Sequence, residues 1–151
     1  TGLLIAGLRQ DEPYEARLLD AIASSPARDR IVLTTELTGP ASQFLYRVCD
    51  LFVMPSLAEG FSMALIEGLA NARPLLITRY CHFPELEEAG AGLTVEPTVE
   101  ALAAGLARLL ALGVEEWRAM GLAARRLFEE NYTWDHIAAR LEAEYNAAIR
   151  R

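Results

Sequence analysis

Two glutamates, Glu59 and Glu67, stand eight positions apart in the run PSLAEGFSMALIEG, residues 55–68, which is otherwise largely apolar around a Gly-Phe-Ser turn. An acid buried without a partner costs several kcal/mol or takes up a proton. A greasy stretch that carries two of them therefore either walls a binding site or pairs them internally. The run reads as a strand end, a turn at Gly60 and a helix opening near Ser62. The first amides of such a helix lack intrahelical acceptors and carry the positive end of the helix dipole. With Gly60 permitting close approach, that corner suits an anionic diphosphate. Glu59 would repel a phosphate, so it fits better as an acceptor for sugar hydroxyls one step further out. Glu67 lies about five residues into the helix, roughly 7.5 Å along it. A ribose diol would satisfy it as a bidentate partner, and an arginine or a loop amide would satisfy it equally well. Spacing alone leaves both open.

The elements that must position this pair follow from the pattern of apolar residues. Continuous apolar runs at 3–6, 31–34, 51–54, 75–78 and 92–95 are expected as parallel strands covered on both faces. Helical patterns fill the intervals at 13–24, 41–49, 62–71 and 83–89. That alternation predicts an α/β fold, a Rossmann-like parallel sheet with helices on both faces, with right-handed crossovers and ligands at the carboxyl edge of the strands. Residues 55–61 follow a strand at that edge. Three amphipathic helices, 98–112, 115–131 and 133–151, form a closing segment expected to cover the sheet, with Thr133 as an N-cap and Trp117 and Trp134 as packing anchors. The expectation is one domain over 1–151, with 98–151 as its helical closing part.

Composition narrows the function. The net charge of −7 argues against nucleic acid and against anionic lipid as partners of this piece. All fourteen basic residues are arginine, which reads as a composition bias. No apolar stretch reaches the roughly 20 residues that span a bilayer. Cys49 and Cys81 are too few for a disulfide framework and have no metal-ligand spacing, so no metal is expected and Cys49 reads as a small buried hydrophobe. His136, inside a terminal helix, reads as structural or solvated. A cytoplasmic location fits. No G-x-G-x-x-G follows a predicted strand, so dinucleotide oxidoreductase chemistry is a poor fit. The chain opens at Thr1 on an apolar run, which reads as an excerpt of a longer polypeptide.

The stretch DLFVMPSLAEGFSMALIEGLANARPLLIT closely resembles the C-terminal, donor-binding domain of retaining glycosyltransferases with the GT-B fold, glycosyltransferase group 1 or family 4. The family signature is Glu, seven residues, Glu, with Pro-Ser before the first acid and Gly-Phe after it. The flanks YRVCDLFVMPS, PELEEAGAGLTVEP and AARRLFEENYTWDHIAARLEAEY are similar to the family as well, so nearly the whole chain is covered. The resemblance implies that Glu59 contacts the transferred sugar as the catalytic-site acid. It implies that the amides of Gly60, Phe61, Ser62, Met63 and Ala64 hold the donor and that Glu67 binds the ribose. Residues 34–37 would lie near the base. It further implies a UDP- or GDP-linked sugar as substrate, no cofactor, and an acceptor-binding N-terminal domain in the same protein, through which membrane association would come. The activity implied is hexose transfer to a carbohydrate or lipid-linked acceptor, as in polysaccharide biosynthesis, with the isolated piece inactive.

Several residues depart from the family pattern. Ala72 replaces a Gly before Pro74, so the helix is expected to end differently. Cys81-His82-Phe83 replaces a Gly-Gly loop before Pro84-Glu85 and is expected to put side chains on the donor edge. There His82 either hydrogen-bonds sugar or acceptor or simply shapes the loop, and Glu85 is a further candidate. Thr35 stands where the family often has Gly beside the base. A first strand and helix carrying an Arg and a Lys for the diphosphate have no counterpart here. That strand belongs near the centre of the sheet, and the edge it leaves predicts self-association of the piece. Two alternatives stay in view: a sugar-nucleotide epimerase of the same architecture, and a non-catalytic assembly or regulatory module.

Overall fold

A computed structural model describes residues 1–7 and 12–150 of the chain. Strands and helices alternate as β1 (Leu3–Ala6), α1 (Glu12–Ser24), β2 (Ile31–Thr34), α2 (Pro40–Val48), β3 (Phe52–Met54), α3 (Met63–Ala70), β4 (Leu75–Thr78), α4 (Glu85–Glu88) and β5 (Gly92–Val95). Three helices follow: α5 (Val99–Leu110), α6 (Val114–Asn131) and α7 (Trp134–Ile149). All five expected strands form. They divide into two parallel sheets, β1-β2 and β3-β4-β5, rather than one. The chain correspondingly packs as two compact units, Thr1–Leu45 and Tyr46–Arg151.

In the first unit β1 pairs with β2 from Leu3 against Ile31 to Ala6 against Thr34. Its strands are apolar yet open to solvent: Leu3 is 48% exposed and Val32 57%.

In the second unit β4 lies between β3 and β5. Its successive side chains point to opposite faces, and both faces are covered. Leu75 and Ile77 join Leu65, Ile66 and Leu69 of α3, Leu86 of α4, and Ala123, Ala124 and Leu127 of α6. Leu76 joins Leu93 and Leu109, flanked by Val53, Val95, Leu102, Trp117 and Met120. The two halves of α6 thus serve different faces. Gly92 is required where β5 meets β4, because a Cβ there would lie 2.1 Å from the Leu75 carbonyl oxygen. Along its outer edge, the Thr94 amide donates to Glu87 Oε1 at 3.2 Å.

Two expectations need correction. The helix α3 does not end differently for want of a glycine. Ala72 adopts φ 55 itself, in the left-handed region. The Arg73 amide donates to the Gly68 carbonyl at 3.1 Å and the Ala72 amide to that of Leu69 at 3.0 Å, the Schellman pattern. Side chains hold the strained residue in place. Arg73 donates to the carbonyls of Asn71 and Cys49, each at 2.8 Å, and Arg125 to that of Ala70. Nor does the whole closing segment cover the sheet. Thr133 caps α7 as expected, accepting from the His136 amide, but α7 has no buried residue and Trp134 is 84% exposed. At the first position of α7, Trp134 is not an anchor, whereas Trp117 is.

Candidate functional site

The β3 strand stops at Met54 because Pro55 has no amide hydrogen to continue the ladder. Side chains from the end of β4 take over where the ladder ends. Thr78, fully buried, donates its hydroxyl to the Ser56 carbonyl. The buried Cys81 thiol lies 3.9 Å from the Met54 carbonyl oxygen and 3.9 Å from the Thr78 hydroxyl. The chain then turns, and the Ser56 hydroxyl donates to Glu59 Oε1 at 2.9 Å. Glu59 is half-buried, oriented by a hydroxyl three residues before it.

Gly60 and Phe61 lead into α3, whose N-cap is Ser62 in extended conformation. The Ser62 hydroxyl accepts from the Leu65 amide at 3.5 Å. The Met63 and Ala64 amides, at the first two helical positions, have no acceptor within the helix. Gly60 has no positive φ among the described residues, and a Cβ on it would meet no atom within 4 Å. Neither backbone nor packing demands glycine there. Phe61 is exposed, with its ring centroid 6.2 Å from that of Tyr132, which in turn lies 5.6 Å from Phe83. The three rings pin the turn to the end of α6.

Glu67 lies on α3 among Leu65, Ile66, Gly68 and Leu69, all buried, while remaining half-exposed itself. The Tyr46 phenol is near enough to the Glu67 carboxylate to feel its charge. Burial, and then the Glu67 charge, hold the Tyr46 phenol well above its ordinary range.

The loop after β4 is only partly as expected. Of Cys81, His82 and Phe83, the first and third turn inward and are buried, and His82 alone is exposed. The correction has a physical cause: the thiol and the ring complete the core beneath the Glu59 turn. His82 adopts φ 49 and ψ 48, the left-handed conformation natural to glycine. Glu85 is exposed at the start of α4; burial, and then the Glu85 charge, raise the Tyr132 phenol. Thr35 is exposed after β2, in the first unit. Three residues with a part in the geometry, Tyr46, Ser56 and Thr78, were not singled out by sequence. The signal for Ser56 was its Pro-Ser context; Tyr46 and Thr78 carry none that spacing reveals.

Elsewhere, a hollow of about 230 Å³ between β5 and α5 is lined by Glu87, Thr94, Arg108 and apolar neighbours, none of them in the Glu59 turn. Among the described residues no cluster of His, Cys, Asp and Glu is arranged to hold a metal ion, and no helix is long and apolar enough to cross a membrane.

Residues 1–127 match the family described as glycosyl transferases group 1. One relative is the MMP alpha-(1->4)-mannosyltransferase of Mycolicibacterium hassiacum, 27% identical over 97% of this chain and 39% of its own length. The chain therefore spans about two-fifths of the length of that curated relative. Among solved structures, a glycosyltransferase from Rickettsia africae superposes with a TM-score of 0.82 at 22% identity, over 98% of this chain and 40% of its own. The C-terminal domain of a group 1 family glycosyl transferase from Francisella tularensis superposes at 0.73 with 15% identity, over 87% of this chain and 85% of that domain. These likenesses are to the C-terminal half of the GT-B fold, in agreement with the fold expected from sequence.

Proposed function

The chain belongs to the glycosyl transferases group 1 family, and from that premise we infer that the corner between β3 and α3 is the donor site of a retaining hexosyltransferase. The observation that carries this reading is the arrangement of two half-buried carboxylates around the capped start of α3. Glu59 receives the Ser56 hydroxyl, and Glu67 stands beside the Tyr46 phenol. A UDP- or GDP-linked sugar would place its diphosphate against the amides of Gly60, Phe61, Ser62, Met63 and Ala64, where helix-start donors and dipole favour an anion. Glu59 would take hydroxyls of the transferred hexose, and Glu67 the ribose diol. The mannosyl donor chemistry in the name of the Mycolicibacterium relative supports a hexose. His82 borders the same strand edge and would shape the sugar or acceptor side, with Glu85 beside it.

The acceptor would be a carbohydrate or a lipid-linked sugar, bound by an N-terminal domain of the same protein, and the piece by itself would transfer nothing. No cofactor enters this reading. The chemistry asked of these residues is orientation and charge complementarity toward a donor that carries its own leaving group. The test is calorimetry with UDP and GDP on the full-length protein. Glu67→Ala should weaken the nucleotide that binds by about tenfold or more, the loss of a charge-assisted hydrogen-bonded pair. Unchanged affinity would remove the ribose assignment. Detection of an epimerised free nucleotide sugar in place of a new glycosidic bond would favour an epimerase instead.

A further inference from the structure

We propose that Ser56 and Thr78 are positioning residues for Glu59, acting as a two-hydroxyl relay from the end of β4 to the acid. The inference rests on the donor-site reading above for what Glu59 touches, and on geometry alone for how Glu59 is held. Main-chain pairing between β3 and β4 ends at Met54 against Ile77. The next residue, Pro55, has nothing to donate, and the chain beyond it would be tethered to β4 by side chains or not at all. Thr78 supplies that tether. It is the last residue of β4, has no solvent exposure, and gives its hydroxyl to the carbonyl of Ser56. Ser56 in turn gives its own hydroxyl to Glu59 Oε1 at 2.9 Å.

The backbone of Ser56 is thus fixed from one side and its side chain fixes the acid on the other. One carboxylate oxygen of Glu59 is committed to the protein, which sets the direction of the other. A hexose reads the direction of its acceptor, so a misaimed carboxylate costs sugar recognition while leaving the nucleotide alone. A merely structural role for Ser56 or Thr78 makes the opposite prediction, because a loosened turn also disturbs the neighbouring α3 amides and weakens sugar nucleotide and bare diphosphate alike.

The experiment uses the full-length protein with UDP, GDP, UDP-glucose and GDP-mannose as probes, measuring the gain in affinity that the sugar adds to its own diphosphate. Ser56→Ala should cut that gain by about tenfold while diphosphate affinity stays within about twofold, and Ser56→Thr, which keeps a hydroxyl, should restore it. Thr78→Val should act in the same direction and Thr78→Ser should restore it. In a Glu59→Ala background, Ser56→Ala should have no further effect. Equal losses for diphosphate and sugar nucleotide, or a Ser56→Ala effect that persists without Glu59, would overturn the relay. A measurement free of ligand separates this from the donor-site reading: the side-chain carboxyl carbon resonance of Glu59 should move in Ser56→Ala and return in Ser56→Thr. Should none of the four probes bind, the donor-site reading fails. The resonance then decides the relay alone, and an unmoved signal refutes it.

Discussion

Residues 1–45 and residues 46–151 contain strands written in the same alphabet, and their environments differ. The runs LLIA and IVLT of the first unit are as apolar as LLIT of the second. Yet β4 has Leu75, Leu76 and Ile77 at no more than 1% exposure, while no described residue of the first unit is fully buried. The difference is in neighbours. β4 has a strand on each side and a cluster of helix side chains on each face, whereas among the described residues β1 and β2 pair with each other alone. A continuous apolar run specifies a strand that tolerates burial; what surrounds it specifies whether burial happens.

The sharpest way to break that comparison is to truncate one side chain in each unit. Leu76→Ala should destabilise the second unit by about 2–5 kcal/mol, the cost of a cavity in a packed core. Val32→Ala, at an exposed strand position, should cost less than about 1 kcal/mol. Chemical denaturation followed by tryptophan fluorescence, in a Trp134→Phe background so that Trp117 reports alone, checks the first, and equal effects would show that the two sheets are packed alike. Next comes close approach. Gly92→Ala should cost about 1–3 kcal/mol or more from overpacking against the Leu75 carbonyl. Gly2→Ala, where the nearest atom is the Arg30 carbonyl oxygen at 3.6 Å, should be near neutral. Thermal melts of the two variants give the contrast directly. A smaller effect of opposite sign is expected at Ala72. Replacement by Gly relieves a left-handed backbone and should stabilise the second unit by about 1 kcal/mol, read as a higher denaturation midpoint with unchanged slope.

Most of the fold was legible because parallel α/β chains announce their strands as unbroken apolar runs and their helices as longer periodic ones. Every strand formed within one residue of its expected start. The acids at 59 and 67 were legible because charge inside an apolar run demands an explanation. What escaped notice depends on partners distant in sequence. Thr78 reaches Ser56 across 22 positions, and the Tyr46 phenol stands beside Glu67, 21 positions further on. Neither hydroxyl has a local pattern that marks it. Ala72 escaped for another reason: propensity alone speaks against φ 55, and the capping carbonyl bonds from Arg73 and Arg125 overrule it. Trp134 was misjudged because a large aromatic is buried on average, and this one opens a helix whose described residues bury none of their side chains.

The bond from the Thr94 amide to Glu87 has a bearing on how this protein meets others. An outward-facing strand amide is the recruiting point for a foreign strand, and here one of them is already occupied by a carboxylate that also carries negative charge to the rim. At that position the outer margin of β5 is therefore a poor template for a visiting chain.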